Sequence, residues 1–373
     1  MKYTLCVTQE CNLSCHYCYI RKKKSVMSID TAKRIIDFIY NNTPPDEKIE
    51  IGFFGGEPLL EFELVTKISD MIENHISFDI DKVQLSLVTN GTIFSDKIAN
   101  VLKEHNIAFC LSCDGPPHVQ DVNRRFPDGR GSSEVVENTI NEAKLSLPWI
   151  LVNAVYGPQT FYHLPEVIDY FSSLKLRQIY LNPDYSARWS KREAELISGI
   201  YRTIGEKYID FHFRDNPYFI SLIDSKIAVI LRGGYKPQER CRMGTGEFGF
   251  APSGNIYPCE RLIGMDDGES HCIGHINAFL GSGKQTELIP GININIECAE
   301  CGLKSYCMNW CGCSNYFSSG YYNKVGAFLC ASEKAAILTA FDVFKTLENK
   351  LGPTFMEHLS GFSTTFIYDR SQK

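Results

Sequence analysis

Several features of other protein classes are missing from this 373-residue chain. It has no run of 18 or more apolar residues, so no segment is suited to cross a bilayer as a helix. The N-terminus, MKYTLCVTQEC, lacks the apolar stretch and cleavage site of a secretory signal, so we expect a cytoplasmic protein. Its 38 Lys and Arg and 44 Asp and Glu give a net charge of −6. Nothing therefore favours a membrane or a nucleic acid as a partner.

Cysteine is the residue type that the chain has in excess, with 15 in total. That is about 4% of the residues, below the roughly 8–10% of a short disulfide scaffold. Thiols stay reduced in the cytosol, so clustered cysteines there indicate metal binding or catalysis rather than disulfides.

The first half of the chain alternates short apolar runs with longer segments of helical period, which is the pattern of βα units. Six strands are predicted: Tyr3–Thr8, Ile49–Phe54, Val83–Thr89, Ala108–Ser112, Ile150–Tyr156 and Gln178–Asn182. Right-handed βαβ units give a parallel sheet covered by helices. Six units suit a partial (β/α)6 TIM-like barrel, and an open α/β sheet also fits the pattern.

The sequence predicts four consecutive parts. Residues 1–185 form the partial barrel, and 186–240 a helical bridge with its clearest pattern at Glu193–Phe211. Residues 241–332 read as a small, loop-rich, Cys-rich domain, and 333–373 as a C-terminal helix and tail. A module of the third kind builds little core, so bound metal would help to hold it together.

A first cysteine cluster, Cys11-x3-Cys15-x2-Cys18, follows the first predicted strand. Three thiolates on one loop can face one point and suit an iron–sulfur cluster with one open iron. A structural zinc site would normally be closed by four ligands, and only three cysteines stand here. The alternative is an incomplete zinc site that a distant His completes.

Three further motifs stand at strand ends: Gly55-Gly56-Glu57-Pro58, Thr89–Thr92 and Ser112–Pro116. Two glycines let the backbone approach a ligand closely, and Glu57 places a carboxylate where an ammonium could bind. In parallel α/β folds, ligands bind at the carboxyl ends of strands, where all four motifs lie.

Together these motifs resemble those of the radical S-adenosylmethionine (radical SAM) enzymes, over residues 1 to about 185. The resemblance implies a [4Fe-4S] cluster on Cys11, Cys15 and Cys18 that binds S-adenosylmethionine (SAM). It implies reductive cleavage of SAM to a 5′-deoxyadenosyl radical, which abstracts a hydrogen from the substrate.

The resemblance also implies a set of residues that bind SAM or the substrate: Tyr17, Gly55, Gly56, Glu57, Asn90, Ser112, Asp114 and Asn153. The Gly55–Glu57 segment would hold the amino group of SAM, and Tyr17 would pack by the adenine. Ser112 and Asp114 would lie near the ribose, and Asn153 near the substrate or cofactor. Capping or turn hydrogen bonds are the alternative for these last three.

A second cysteine cluster follows, from Cys241 to Cys330. By spacing alone, part of it looks like a zinc ribbon. The whole pattern, Cys-x12-Gly-x4-Cys, then Cys-x2-Cys-x5-Cys-x3-Cys and a late Cys, resembles the SPASM extension of radical SAM enzymes. That extension holds two auxiliary clusters, so the resemblance implies three [4Fe-4S] clusters in all.

The resemblance assigns these cysteines to two auxiliary clusters. The outer cluster would be bound by Cys298, Cys301, Cys307 and Cys330, and the inner one by Cys241, Cys259 and Cys311. Its fourth ligand is left open among Cys313, Cys272, a substrate thiolate and water. An open or Cys313-ligated iron is favoured, with Cys272 in the core. The remaining thiols, Cys6, Cys110 and Cys113, are expected to be buried small hydrophobes.

Glu260 is the predicted catalytic residue, because sulfatase-maturing relatives carry a catalytic aspartate directly after the matching cysteine. It could take a proton as an oxidised product forms. A surface carboxylate paired with Arg261 or Arg240 is the alternative.

The resemblance favours a maturase of ribosomal peptides that forms a thioether or carbon–carbon crosslink, with a flavodoxin- or ferredoxin-type electron donor. Only ten residues precede Cys11, so leader recognition is expected to need a separate protein or another surface, or the substrate has no leader. A sulfatase-maturating (formylglycine-forming) enzyme or a small-molecule dehydrogenase is the alternative. A non-catalytic iron–sulfur or zinc scaffold is the alternative from another class.

Overall fold

The computed structural model describes residues 1–236, 239–278, 295–309 and 311–363. The chain forms two compact units that alternate along the sequence. The first contains residues 1–112, 121–150 and the described part of 242–289, and the second contains 113–120, 151–241 and the described part of 290–373.

The strands of the described residues are β1 (Lys2–Thr8), β2 (Ile49–Gly55), β3 (Val83–Thr89), β4 (Ile107–Ser112), β5 (Leu151–Tyr156), β6 (Gln178–Pro183), β7 (Phe219–Ile220), β8 (Glu247–Phe250), β9 (Asn255–Tyr257) and β10 (Gly274–His275). The helices are α1 (Ile29–Asn42), α2 (Phe62–Glu73), α3 (Asp96–Glu104), α4 (Pro117–Asn123), α5 (Ser133–Ser146), α6 (Leu164–Ser173), α7 (Lys191–Phe213), α8 (Ser221–Leu231), α9 (Ile296–Ala299), α10 (Gly312–Ser319), α11 (Ala327–Leu351) and α12 (Pro353–Ser363).

The first unit is built on strands in the order β10-β9-β8-β1-β2-β3-β4. Strands β8, β1, β2, β3 and β4 are parallel, and β9 and β10 add to them in antiparallel fashion. One row of the register joins Tyr3, Ile51, Leu85 and Ile107, all buried. The carboxyl ends of β1, β2 and β3 therefore lie side by side, which brings the loops with the predicted motifs together.

All six strands predicted from the sequence are present, each within one residue of its predicted ends. Strands β7 to β10 were not predicted, because two to four residues are too short to show an alternating pattern. Strand β8 nevertheless pairs with β1, so part of the Cys-rich region belongs to the sheet of the first unit.

The second unit combines the parallel strands β5, β6 and β7 with long helices. Helix α7 begins after Ser190, whose side chain forms a capping box with Glu193. Helix α11 packs on α7 and α8. Gly205 allows this approach, because a Cβ there would lie 2.7 Å from Thr339 Cγ2. No described helix has the length and apolar character of a membrane span.

A matched pair of substitutions in α5 tests the core of the first unit. Ile140 is fully buried and Leu145 is 89% exposed. Ile140→Ala leaves a cavity and should lower the free energy of unfolding by about 2–5 kcal/mol. Leu145→Ala should change it by less than about 0.5 kcal/mol. Urea unfolding followed by circular dichroism measures both, and equal effects would contradict the assigned orientation of α5.

Candidate active site

The first cysteine cluster lies on the loop after β1, in the first unit. Cys11, Cys15 and Cys18 form no disulfide and are half-buried. The loop is held by a hydrogen bond from Ser14 N to Arg125 O of 2.6 Å. Burial raises the pKa of Cys11 and of Cys18. Because these thiols resist ionisation, they suit a site where bound metal ions stabilise the thiolates.

Two glycines at the end of β2 let this strand approach the cysteine loop. A Cβ on Gly56 would lie 2.0 Å from Glu10 O, and one on Gly55 (φ +145°) would lie 2.2 Å from Thr8 O. Gly56 N donates to Thr8 O and Glu57 N to Glu10 O, both at 2.8 Å. Only glycine fits this contact with the chain's own backbone. The close approach of these glycines to a ligand stays a prediction from the sequence.

The Glu57 side chain is fully buried and joins the ends of β2 and β3. Its Oε1 accepts hydrogen bonds from Leu59 N (3.0 Å) and Thr89 Oγ1 (2.8 Å), and its Oε2 from Asn90 N (2.7 Å). Burial raises the pKa of Glu57 to about 7, although these donors and the Arg124 charge oppose that change. A carboxylate has about four acceptor positions, so one remains on Oε2.

Asn90 connects the end of β3 to the cysteine loop. Its Nδ2 donates to Asn12 Oδ1 at 2.9 Å and lies 3.7 Å from Cys11 Sγ. Asn12 Nδ2 in turn donates to Thr92 Oγ1 at 2.7 Å. The network therefore sets the position of Cys11 relative to β3 and directs an N–H toward its sulfur.

Tyr17 is half-buried, and the Arg124 guanidinium lies 5.2 Å from the centre of its ring. Sequence reasoning missed Arg124 and Asn12 as members of this site, since no local pattern marks them. Ser112 ends β4 and is buried, as expected of a residue at this strand end.

In the second unit, the Asp114 side chain bonds to the backbone of β5 rather than within its own turn. Its Oδ1 accepts from Val155 N at 2.9 Å, and its backbone N–H donates to Gln120 Oε1 at 2.7 Å. Asn153, on β5, accepts from Asn182 Nδ2 at 2.7 Å. Both side chains thus have structural hydrogen bonds, and their predicted ligand contacts stay a proposal.

Four cysteines of the second unit line one cavity of about 320 Å³: Cys298, Cys301, Cys307 and Cys330. Burial raises the pKa of Cys307 to about 12 and also raises that of Cys298 and Cys330. The buried Lys226 forms an ion pair with Glu333, and its charge favours the thiolate of Cys307.

The other cysteines fall into two kinds of surroundings. Cys311 Sγ lies 3.5 Å from Cys313 Sγ in the second unit, which also contains Cys241. Cys272 is buried in a hydrophobic cluster of the first unit with Tyr257 and Ile263, as expected of a core thiol. Buried thiols are also found at Cys6 and Cys113, whereas Cys110 is half-buried.

Glu260 lies beside Cys259 in the first unit, with its Oε2 3.4 Å from the sulfur. Lys2 Nζ is 3.6 Å from Glu260 Oε1 and 3.0 Å from Glu247 Oε1. Burial opposes the negative charge of Glu260, but Lys2 and Arg261 outweigh it and lower the pKa of this carboxyl. The sequence alternatives for its ion-pair partner did not include Lys2.

Comparison with known proteins identifies the first unit's motifs as those of a family. Residues 5–171 match the family described as the radical SAM superfamily. Residues 5–171 therefore form a radical SAM domain. The protein is an enzyme, and this domain implies a [4Fe-4S] cluster and SAM as cofactors.

Two curated proteins and one solved structure illustrate what this radical SAM enzyme is similar to. An uncharacterised protein of Methanocaldococcus jannaschii, MJ0907, is 28% identical over 73% of this chain and 87% of its own length. A cysteine-type anaerobic sulfatase-maturating enzyme of Clostridium novyi is 23% identical over 82% and 85%. The structure of anSMEcpe with bound AdoMet and Cp18Cys peptide has a TM-score of 0.80 at 21% identity, over 94% of this chain and all of that one. This likeness confirms the expected α/β fold, the radical SAM partial barrel with a Cys-rich C-terminal region.

The buried Glu57 predicts a pH effect on stability. Its pKa is about 7 in the folded enzyme against an ordinary value of 4.5, so folding favours the protonated form. Its contribution to stability is present below about pH 4.5 and is lost as the pH rises to about 7. Wild type should therefore lose melting temperature between pH 5.5 and 7.5 relative to Glu57→Gln, which cannot ionise. Parallel melting-temperature profiles would show that Glu57 does not titrate in this range.

Proposed function

We propose that this radical SAM enzyme abstracts a hydrogen atom from a side chain of a peptide or protein. One observation carries the cofactor part of the proposal. Glu57 and Asn90 connect the loops after β2 and β3, and Asn90 directs an N–H at Cys11. The cysteine loop after β1 and the loop of Gly55–Pro58 after β2, here called the glycine loop, therefore form one site.

The residues of the first unit fit the cluster and SAM. Cys11, Cys15 and Cys18 would hold three irons, and the Gly55–Gly56 backbone would face the amino group of SAM. When bound, the reduced cluster supplies the electron that cleaves SAM. Asn90 orients the Cys11 sulfur by an N–H contact of 3.7 Å. Such contacts tune iron–sulfur centres.

Glu57 has a positioning role in this proposal. Three of its acceptor positions are taken by donors of the protein, which keeps the glycine loop next to β3. The Gly55–Glu57 backbone would hold the ammonium of SAM, because the Glu57 carboxylate itself is fully buried. Tyr17, held by Arg124, would pack by the adenine.

The cavity of the second unit supports an auxiliary iron–sulfur cluster. Its volume of about 320 Å³ has room for a group of several atoms. One zinc ion would fill only a small part of that volume. Its four cysteine ligands would complete the coordination of a [4Fe-4S] cluster. Three clusters, with the inner one on Cys241, Cys259 and Cys311 and a fourth ligand such as Cys313, remain a prediction from the sequence.

The substrate proposal draws on the relatives. The Clostridium novyi relative is named as a sulfatase-maturating enzyme, and the anSMEcpe structure contains a peptide. A peptide or protein side chain is therefore the substrate class proposed here. Formation of a thioether or carbon–carbon crosslink is the reaction that the sequence favours. The electron donor and a separate leader-recognition protein also remain predictions.

Formylglycine formation is the second candidate, and Glu260 favours it. The carboxyl is held in its charged form by Lys2, and Glu260 lies next to the predicted cluster ligand Cys259. A charged carboxylate at that place could accept a proton as a Cys or Ser side chain is oxidised.

Substitution of single cysteines tests the cluster assignments. After anaerobic reconstitution, Cys11→Ala should lower the iron content by about four atoms per chain and abolish release of 5′-deoxyadenosine. Cys307→Ala should also lose about four irons through loss of the outer cluster. Iron analysis and chromatography of the nucleoside products measure these outcomes.

The matched control for both variants is Cys272→Ala, which removes a thiol from the hydrophobic core. It should keep its iron content and its SAM cleavage. A wild-type protein that binds zinc at the four-cysteine cavity, or a Cys307→Ala variant with unchanged iron, would contradict the auxiliary cluster.

Glu260→Gln separates the proton acceptor from the rest of the chemistry. The variant should still cleave SAM, but oxidation of a Cys- or Ser-containing peptide should fall by about 10²–10⁴-fold. Hydrazide tagging detects the aldehyde product, and Glu247→Gln, which also loses a contact with Lys2, is the control. Unchanged aldehyde formation in Glu260→Gln would remove Glu260 from the mechanism.

A further inference from the structure

The second unit contains a group of possible metal ligands that the radical chemistry does not use. His118 lies on α4, His163 on the turn before α6, and Glu166 in the first turn of α6. One ring nitrogen of each histidine and one carboxylate oxygen of Glu166 all lie within 4.8 Å of one another.

The two imidazoles converge on one carboxylate oxygen. His163 Nδ1 is 3.0 Å and His118 Nε2 is 3.3 Å from Glu166 Oε2. The two rings meet edge to face, with centres 5.1 Å apart. The hydrogen bond from His163 and the nearby His118 lower the pKa of Glu166, which keeps this carboxylate charged.

The two distances to Glu166 match edges of a tetrahedral site. A zinc ion binds histidine nitrogen and carboxylate oxygen at about 2.0–2.2 Å, which places neighbouring ligand atoms about 3.3 Å apart. Two histidines and one glutamate form a donor set that binds zinc with one position open to water.

We propose that His118, His163 and Glu166 bind a divalent transition-metal ion, of which Zn²⁺ best fits the two nitrogens and one oxygen. The three side chains are each about half exposed, so an ion reaches them directly from solvent. Imidazole and carboxylate ligands do not bind the iron–sulfur clusters proposed above, so this site is independent of them.

Metal binding here would have a local structural effect. His118 belongs to the 113–120 segment, which also contains Asp114, whereas His163 and Glu166 follow β5. An ion would therefore add a link between that segment and the start of α6. Asp114 already accepts a hydrogen bond from Val155 of β5, so the ion would stabilise a contact between these two segments that the fold already makes.

Zinc binding to the reconstituted, iron-loaded enzyme tests the proposal. The wild-type enzyme, His163→Ala and Glu166→Gln are dialysed anaerobically against micromolar Zn²⁺, and zinc and iron are counted by mass spectrometry. Wild type should bind one more zinc per chain than either variant at equal iron content. Zinc affinity of this site should fall by more than about 100-fold in the variants, since a ligand is lost.

His75→Ala is the matched control, because His75 also faces a carboxylate, Asp37, at 3.5 Å but belongs to no group of three possible ligands among the described residues. This variant should keep the extra zinc. Equal zinc content in wild type, His163→Ala and Glu166→Gln would overturn the proposal, as would wild type that binds no extra zinc. Amide exchange of residues 114–120 gives a second readout, and zinc should slow it in wild type alone.

Discussion

The buried carboxylate of Glu57 is the contact on which the candidate active site depends. It receives donors from its own loop and from the end of β3, and it has no exposure to solvent. Loss of a buried acceptor leaves its donors unsatisfied, which costs about 1–3 kcal/mol for each such group. The loop after β2 is therefore held against β3. Asn90 donates its backbone N–H to Glu57, and its side-chain amide lies 3.7 Å from Cys11 Sγ, so the same residue also positions Cys11.

Ionisation of the cysteines is a second constraint that both units share. Burial raises the pKa of Cys11 and Cys18 in the first unit and of Cys298, Cys307 and Cys330 in the second. Buried thiolates need positive charge nearby, which bound iron would provide. Lys226 provides some positive charge at Cys307. In the proposed function, iron bound in the cavity that these thiols line provides the rest.

Rigid helices give the second unit its cysteine cavity. Cys330 lies in the first turns of α11, a helix of 25 residues that packs along α7 and α8. The stacked rings of Trp189 and Phe328, 3.6 Å apart, fix the start of this helix. A ligand on such an element keeps its position better than one on a loop, which suits a cofactor site.

The sequence by itself determined the six principal strands, the helical pattern at Glu193–Phe211 and the motif loops, because alternation, helical period and glycine positions are local signals. It also predicts which cysteines bind clusters, since their spacing is local too. Only the tertiary structure decided the contacts of Arg124 with Tyr17, of Lys2 with Glu260, and of the His118, His163 and Glu166 group. Lys2 and Glu260 are 258 residues apart in sequence, and strand pairing of β1 with β8 brings them together. Such contacts depend on how the strands and helices pack, and no local pattern in the chain encodes that packing.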